Sequence, residues 1–321
     1  MPVSWPNASS GSPAATALPE PRHAVLDGRF THAALTDVLR RLCDRLGLAH
    51  RDARLVKFTS NAVFELPRDR VVVRIVGSMN LRHRAHKVVE VARWLAAHDV
   101  PAVRLVEDVR QPLAVGRHLA TVWHAVPASG RPVDGRDLGR VLRQVHALPE
   151  PGFDLPRWTP LDDVRRRIAD AEELADDDRR FLEERVAELE DRLVDLRTAL
   201  PQGVLHGDAH LGNLIPSPSG PVICDFDSTS IGPREWDLST LPVGVARFGH
   251  PGEWYRQLAD EYGFDVVRWV GFPVLREVRE LKLTTSVLPI MRSHPDVAPE
   301  LKSRLRALRR GDTTTPWTPY R

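Results

Sequence analysis

Six side chains capable of chemistry crowd into VLHGDAHLGNLIPSPSGPVICDFDSTS, residues 204–230: His206, Asp208, His210, Asn213, Asp225 and Asp227. Three readings of this stretch are open. A metal-dependent hydrolase would use His206, Asp208, His210 and Asp225, since H-x-D-x-H puts alternate side chains on one face of an extended segment. Such an enzyme needs further ligands on separate loops, and the other eleven histidines form no comparable cluster. A phosphoryl-transfer loop would use one carboxylate to orient an acceptor hydroxyl and take its proton. Asn and a second Asp would then offer hard oxygens to a cation that bridges phosphates. The third reading is a polar turn without chemistry. The apolar run Val222, Ile223, Cys224 ends at Asp225, which either starts a turn or is held rigidly at a cleft edge, as a metal ligand would be.

Spacing favours phosphoryl transfer. His206, Asp208 and Asn213 reproduce the H-x-D-x-x-x-x-N of a kinase catalytic loop, and Asp225-Phe226-Asp227 follows seventeen residues after Asp208 in the manner of D-F-G. The segments HGDAHLGN and CDFDSTSIGPREWDLS resemble the H-G-D-x-H-x-x-N and D-F-D segments of aminoglycoside-phosphotransferase-type kinases, a group that includes choline, homoserine and fructosamine kinases. The resemblance spans roughly residues 53–310 and is most specific over 204–240. It implies a protein-kinase-like fold, ATP and Mg2+. It also implies Asp208 as catalytic base and Asn213 and Asp225 as magnesium ligands. Asp227, in the place of the glycine, could reach the metal directly or through water. His206 would brace the loop, and Asp237 would cap the following helix and hold the loop from behind.

These groups need an α+β, bilobal frame, and the chain supplies its pattern. Residues 1–22, rich in Pro, Ser and Ala, read as a disordered tail. Residues 23–127 read as a small β-rich lobe. A helix from His32 ends at Gly47, a strand pair follows over ARLVKFTSNAVFEL and RVVVRIV, then a helix over HRAHKVVEVARWLAAHDV. Two further strands are expected at AVRLVED and LATVWHAV. The linker PASGRPVDG precedes a larger, mainly helical lobe over 128–321, with helices expected at 135–147, 161–174 and 178–199 and four more between 235 and 310. A ligand cleft between lobes is the default for such a plan.

In the small lobe the nucleotide needs a covering turn, a cation and a partner for that cation. The turn is TSNAVFEL, where Ser60 and Asn61 can bring backbone N–H groups to phosphates without any glycine. The cation is Arg74, where kinases place lysine; arginine keeps its charge at any accessible pH. Glu90 on the following helix is its expected partner. Adenine would meet the backbone around His124 to Val126. The acceptor, a small molecule bearing a hydroxyl, would sit beyond Asp208. Glu277 and Glu280 are the acidic candidates there, sharing a helical pattern with Arg276 and Arg279, though a solvated charged face explains them equally.

Bulk composition agrees with an ordinary soluble globular protein. The formal net charge is only +2 across 45 basic and 43 acidic residues, which points to no nucleic acid and no membrane surface as partner. Only four of the basic residues are lysine (57, 87, 282 and 302), a skew that reads as codon composition. Two distant cysteines build no disulfide framework, no apolar run is long enough to span a bilayer, and a cytoplasmic location is the simple reading. A non-catalytic nucleotide-binding module remains an alternative to the enzyme. A protein kinase proper fits less well, because no A-P-E closes an activation segment after DFD.

Overall fold

The computed structural model describes residues 32–58, 61–77, 82–292 and 294–320. The expected tail lies outside them. Helix α1 (His32–Leu46) precedes strands β1 (Arg54–Phe58), β2 (Asn61–Leu66) and β3 (Val71–Val76); then come α2 (Arg82–Ala97), β4 (Leu113–Val115) and β5 (His118–His124). The five strands form one antiparallel sheet in the order β1-β2-β3-β5-β4. Alternation in β2 and β3 puts Ala62, Phe64, Leu66, Val71, Val73 and Ile75 on the buried face, packed against Leu35, Leu39 and Leu42 of α1. Arg74 therefore points from the opposite face of β3.

The larger lobe contains α3 (Gly135–Ala147), α4 (Asp162–Ala169), α5 (Asp176–Val194), α6 (Glu235–Leu238), α7 (Thr240–Phe248), α8 (Gly252–Tyr262), α9 (Phe272–Thr285) and α10 (Ala298–Arg309). Two short strand pairs interrupt the helices: β6 (Gln202–Leu205) with β9 (Ser230–Pro233), and β7 (Leu214–Ile215) with β8 (Val222–Ile223). These pairs carry the chemically rich stretch.

Two expectations need correction. Residues 102–108 form no strand but an extended crossing segment. Val103 N–H donates to Ile223 O (3.0 Å), His124 N–H to Arg104 O (2.9 Å) and Val106 N–H to Val122 O (3.0 Å), so this segment joins β8 to β5. The short β4 lies later, where a three-residue strand leaves almost no periodicity to read. Among the described residues, the region 235–310 also holds five α-helices, because the single turn α6 precedes α7.

The apolar interior divides unevenly. One cluster is the sheet with α1. A larger one joins the helical lobe to Val88, Val89, Val91, Ala92, Trp94 and Leu95 of α2, so most of α2 packs with the large lobe although it follows β3 in sequence; a small third one sets Ala85 of α2 against Val76 and Leu119 of the sheet. At the far side the C-terminal segment straps α9. Glu280 of α9 is buried against Arg247 (2.7 and 2.9 Å), which also donates to Thr315 O and Asp312 O, and Arg304 stacks on Tyr320 (3.8 Å). No helix among the described residues is long and apolar enough to cross a membrane.

Candidate active site

β6 runs into His206, and the chain then turns sharply at Gly207 with φ of 86°. A Cβ at Gly207 would lie 2.1 Å from the backbone oxygen of Ser228, so only glycine fits both the dihedral and the approach. The turn is fixed from behind by Asp237, fully buried on α6. Its two oxygens accept the N–H groups of His206 (2.7 Å) and Gly207 (2.8 Å), and His146 Nε2 of α3 lies 3.0 Å away. His146 is itself oriented by the Tyr262 hydroxyl at 2.8 Å. Burial pushes the Asp237 carboxyl up, but the His146 bond, the His146 and His206 charges and the Gly207 N–H together hold it below its ordinary value. Asp237 thus holds the loop, but α7 has no side-chain cap, so the expected capping of the next helix does not occur.

The loop presents Asp208 to solvent, with its side chain 53% exposed and His210 Nε2 3.8 Å from it. Although burial raises its pKa, the charges of His210, His206, Arg279 and Lys282 outweigh that and keep the carboxylate ionised. Asn213 donates from Nδ2 to the Asp208 backbone oxygen at 2.9 Å, which directs Oδ1 the other way. The Asn213 carbonyl in turn accepts from Cys224 N–H at 2.9 Å. His206 closes the same circuit: Nδ1 accepts from Asp208 N–H at 3.3 Å and Nε2 meets Cys224 O at 2.9 Å. With both ring nitrogens engaged, His206 has none for a metal. No group of three or more His, Cys, Asp or Glu among the described residues could hold an ion, so the hydrolase set does not form.

After β8, Asp225 adopts a left-handed conformation (φ 71°, ψ 71°), uncommon for a non-glycine residue and typical of strained functional positions. Asp225 and Asp227 share a hydrogen bond. Burial pushes the Asp227 carboxyl above its ordinary value, whereas for Asp225 the bond with Asp227 and the charges of Arg74 and Lys57 outweigh burial and hold it below. Asp225 and Asp227, hydrogen-bonded to each other, follow Cys224, whose N–H bonds the Asn213 backbone, so carboxylate and amide oxygens of the kind a hard divalent cation takes lie on adjoining loops. Nearby positive charge comes from three places. Arg74 Nη2 lies 2.5 Å from Asp227 Oδ2, Lys57 Nζ on β1 lies 3.6 Å from Asp225 Oδ2, and Lys87 Nζ on α2 donates to Asp227 O (2.7 Å) and Thr229 O (2.9 Å). Burial pulls the Lys87 ammonium down to about 8.

Glu90 does not pair with Arg74. It stands on the exposed face of α2, and the loop residue Asp227 takes the guanidinium instead. The helix turns Lys87, not Glu90, toward the site. Ser60 lies outside the described residues; Asn61 opens β2 beside Val76. The His124 side chain points outward to Glu107 (3.1 Å) and its N–H is taken by Arg104 O, as Ala125 N–H is by Arg70 O (2.8 Å). Among the described residues Val126 makes no hydrogen bond, so of these three only its backbone N–H is available to a base.

Beyond Asp208, the expected acidic candidates are already spent. Glu277 binds Arg185 and Arg192, and Glu280 binds Arg247 and Arg276. The α9 groups whose charges act on Asp208 are Arg279 and Lys282, neither foreseen as a site residue. The readable signal was the scarcity of lysine: of four in the chain, Lys57, Lys87 and Lys282 meet here.

The family model for the phosphotransferase enzyme family (APH) matches residues 53–281. The chain belongs to that family. A search of curated protein sequences returns no match. Among solved structures, the phosphotransferase chain superposes on the amicoumacin kinase hAmiN in complex with AMP-PNP, Ca2+ and Ami with a TM-score of 0.68 at 14% identity, covering 90% of this chain and 98% of that one. Choline kinase LicA from Streptococcus pneumoniae gives 0.61 at 14% identity (84% and 98% covered), and a microcompartment-associated aminopropanol kinase gives 0.61 at 20% (86% and 99%). The fold is therefore the bilobal, protein-kinase-like one, and its structural neighbours are small-molecule kinases.

Proposed function

We propose that this phosphotransferase moves the γ-phosphoryl group of ATP, as its magnesium complex, to a hydroxyl of a small molecule. The observation that carries this reading is the single hydrogen-bonded circuit through His206, Asp208, Asn213 and Cys224, which sets an ionised, solvent-facing carboxylate beside the Asp225/Asp227 pair. Asp208 would orient the acceptor hydroxyl and take its proton as the oxygen attacks the γ-phosphorus; the bond to the β-phosphate oxygen breaks, and ADP leaves with the electron pair. Asn213 Oδ1 and Asp225 would hold magnesium, with Asp227 close by, and the ion would supply charge neutralisation for the phosphates when bound. Arg74, Lys57 and Lys87 place cationic charge beside those carboxylates, where phosphate oxygens would arrive. Val126 N–H would receive the adenine edge. The AMP-PNP in the amicoumacin kinase structure supports a nucleotide in this cleft.

The test is slow ATP turnover without acceptor, measured as ADP release, in wild type and Asp208→Asn, alongside calorimetric titration of AMP-PNP with and without Mg2+. The reading requires nucleotide binding in both proteins, strengthened by Mg2+, and turnover only in wild type. Equal turnover in the two would remove Asp208 from the mechanism.

A further inference from the structure

We infer that the acceptor is anionic: besides its hydroxyl it carries a carboxylate or phosphate group, received by Lys282 and Arg167. This rests on the kinase reading above and narrows its substrate class.

The charge on the acceptor side of Asp208 is lopsided. Among the described residues, Arg84 of α2, Arg166 and Arg167 of α4, and Arg279 and Lys282 of α9 interact electrostatically there with three carboxylates, Asp163, Asp208 and, through Arg279, the sealed Asp237. Asp163 is shared by Arg84 (3.4 Å) and Arg166 (2.5 Å). Arg279 is spent on structure: it donates to Ser239 Oγ and Trp236 O and lies 3.8 Å over the Trp236 ring. Lys282 and Arg167 remain. Among the described residues neither has a carboxylate oxygen within 4.0 Å. Lys282 gives one N–H to Pro160 O (3.1 Å) and Arg167 gives one to Lys282 O (3.4 Å), so most donors of both are unspent.

Charged groups enclosed without a counter-ion are costly and normally paired. Both side chains are only partly exposed, and their surroundings resist charge: burial pulls Lys282 down to about 8 and lowers Arg167 as well. A ligand anion would supply the missing partner. It would also place the ligand beside Asp208, whose own negative charge would repel such a molecule unless cations bracketed it. The nucleotide phosphates have their own cations, Lys57, Arg74 and Lys87, around Asp225 and Asp227. A polycationic acceptor finds the opposite of what it needs, because the nearest glutamates of α9 are locked to arginines.

The test is calorimetry on full-length protein saturated with AMP-PNP and Mg2+, titrated with glycerate, phosphoglycerate, glycerol and ethanolamine, which share a hydroxyl and differ in charge. The anionic probes should bind and the neutral and cationic ones should not. In Arg167→Gln/Lys282→Gln anion binding should weaken roughly ten- to hundredfold, the scale of a lost charge-assisted hydrogen bond, while AMP-PNP affinity stays the same. Lys282→Arg should recover part of the loss. Glycerol or ethanolamine binding as well as the anions, or neither anion binding, overturns the inference; both arms use wild type, so they stand even if the double variant is unstable. A double variant that loses AMP-PNP instead would assign these cations to the nucleotide. If wild type binds no AMP-PNP at all, the kinase reading fails at the loading step, before any acceptor probe is added.

Discussion

Behind the catalytic loop and in front of it, the molecule treats buried charge in opposite ways. Behind, Asp237 is sealed from water, with both oxygens hydrogen-bonded and a histidine beside it that is held in turn by Tyr262. In front, Lys282 and Arg167 are half-enclosed with few bonds and no ion pair among the described residues. A paired buried charge makes a backbone turn rigid, and removing one partner is expensive. A buried charge left unpaired lowers stability and keeps its interaction free energy for something that arrives. The first arrangement belongs to the scaffold of the site, and on the inference above the second would set which acceptor it takes.

Breaking the two sides should therefore give different readouts. The largest effect is expected at the boundary: Asp208→Asn should cut acceptor phosphorylation by roughly 10²–10⁴-fold, with an unchanged melting temperature. Next comes the sealed side. Asp237→Ala leaves His146 and two amides without an acceptor and should cost roughly 3–5 kcal/mol, read by chemical denaturation; a loss under 1 kcal/mol would show that the turn holds itself. On the nucleotide side, Arg74→Ala should weaken AMP-PNP roughly ten- to hundredfold, with Arg74→Lys intermediate. Glu90→Gln, on the exposed face, should change nothing in the same titration.

The subtlest prediction concerns the open side. Lys282→Met should raise stability by on the order of 1 kcal/mol at pH 7 while weakening anion binding by less than the double variant does. The sign follows from the lysine's folded value near 8 against 10.5 ordinarily. The cost of its charge comes first from burial, is increased by Arg167 and Arg279 and is eased by Asp163 and Asp208; it is fully present below pH 8 and disappears as pH rises toward 10.5. The variant's advantage should shrink over that window in melts at stepped pH. An advantage independent of pH would mean that packing, not charge, is responsible.

What the sequence made legible divides along similar lines. Asp208, Asn213 and Asp225 sit on two short loops whose spacing is local, so the sequence announces them, and the structure links the two loops by the hydrogen-bonded circuit that ends at Cys224, next to Asp225. The partner of Arg74 is 153 positions away, on a loop whose approach depends on how the lobes meet. Neighbourhood in sequence suggested Glu90 instead, but the phase of α2 turns Lys87 inward. On α9, buried on most sides, periodicity does not say which charges face the cleft, so Glu277 and Glu280 looked as eligible as Arg279 and Lys282. Lysine scarcity, read as composition, was the unused clue.

The membership of α2 in the large lobe's core has a mechanical consequence. Lys87 bonds it to the loop carrying Asp227, and six of its apolar residues share the interior of the helical lobe. The two larger clusters meet along a seam between the sheet and α2, crossed by the small contact of Ala85 with Val76 and Leu119 and by Trp123 of β5, so bodies separating there would break those contacts and keep the bulk of each cluster together. Any gaping of the cleft would then carry the sheet and α1 upward as one jaw, while α2 stays with the anvil. Opening in that way would part Arg74 and Lys57 from Asp227 and Asp225 but leave Lys87 seated, so the act of closing would itself reassemble the cationic ring around the phosphates.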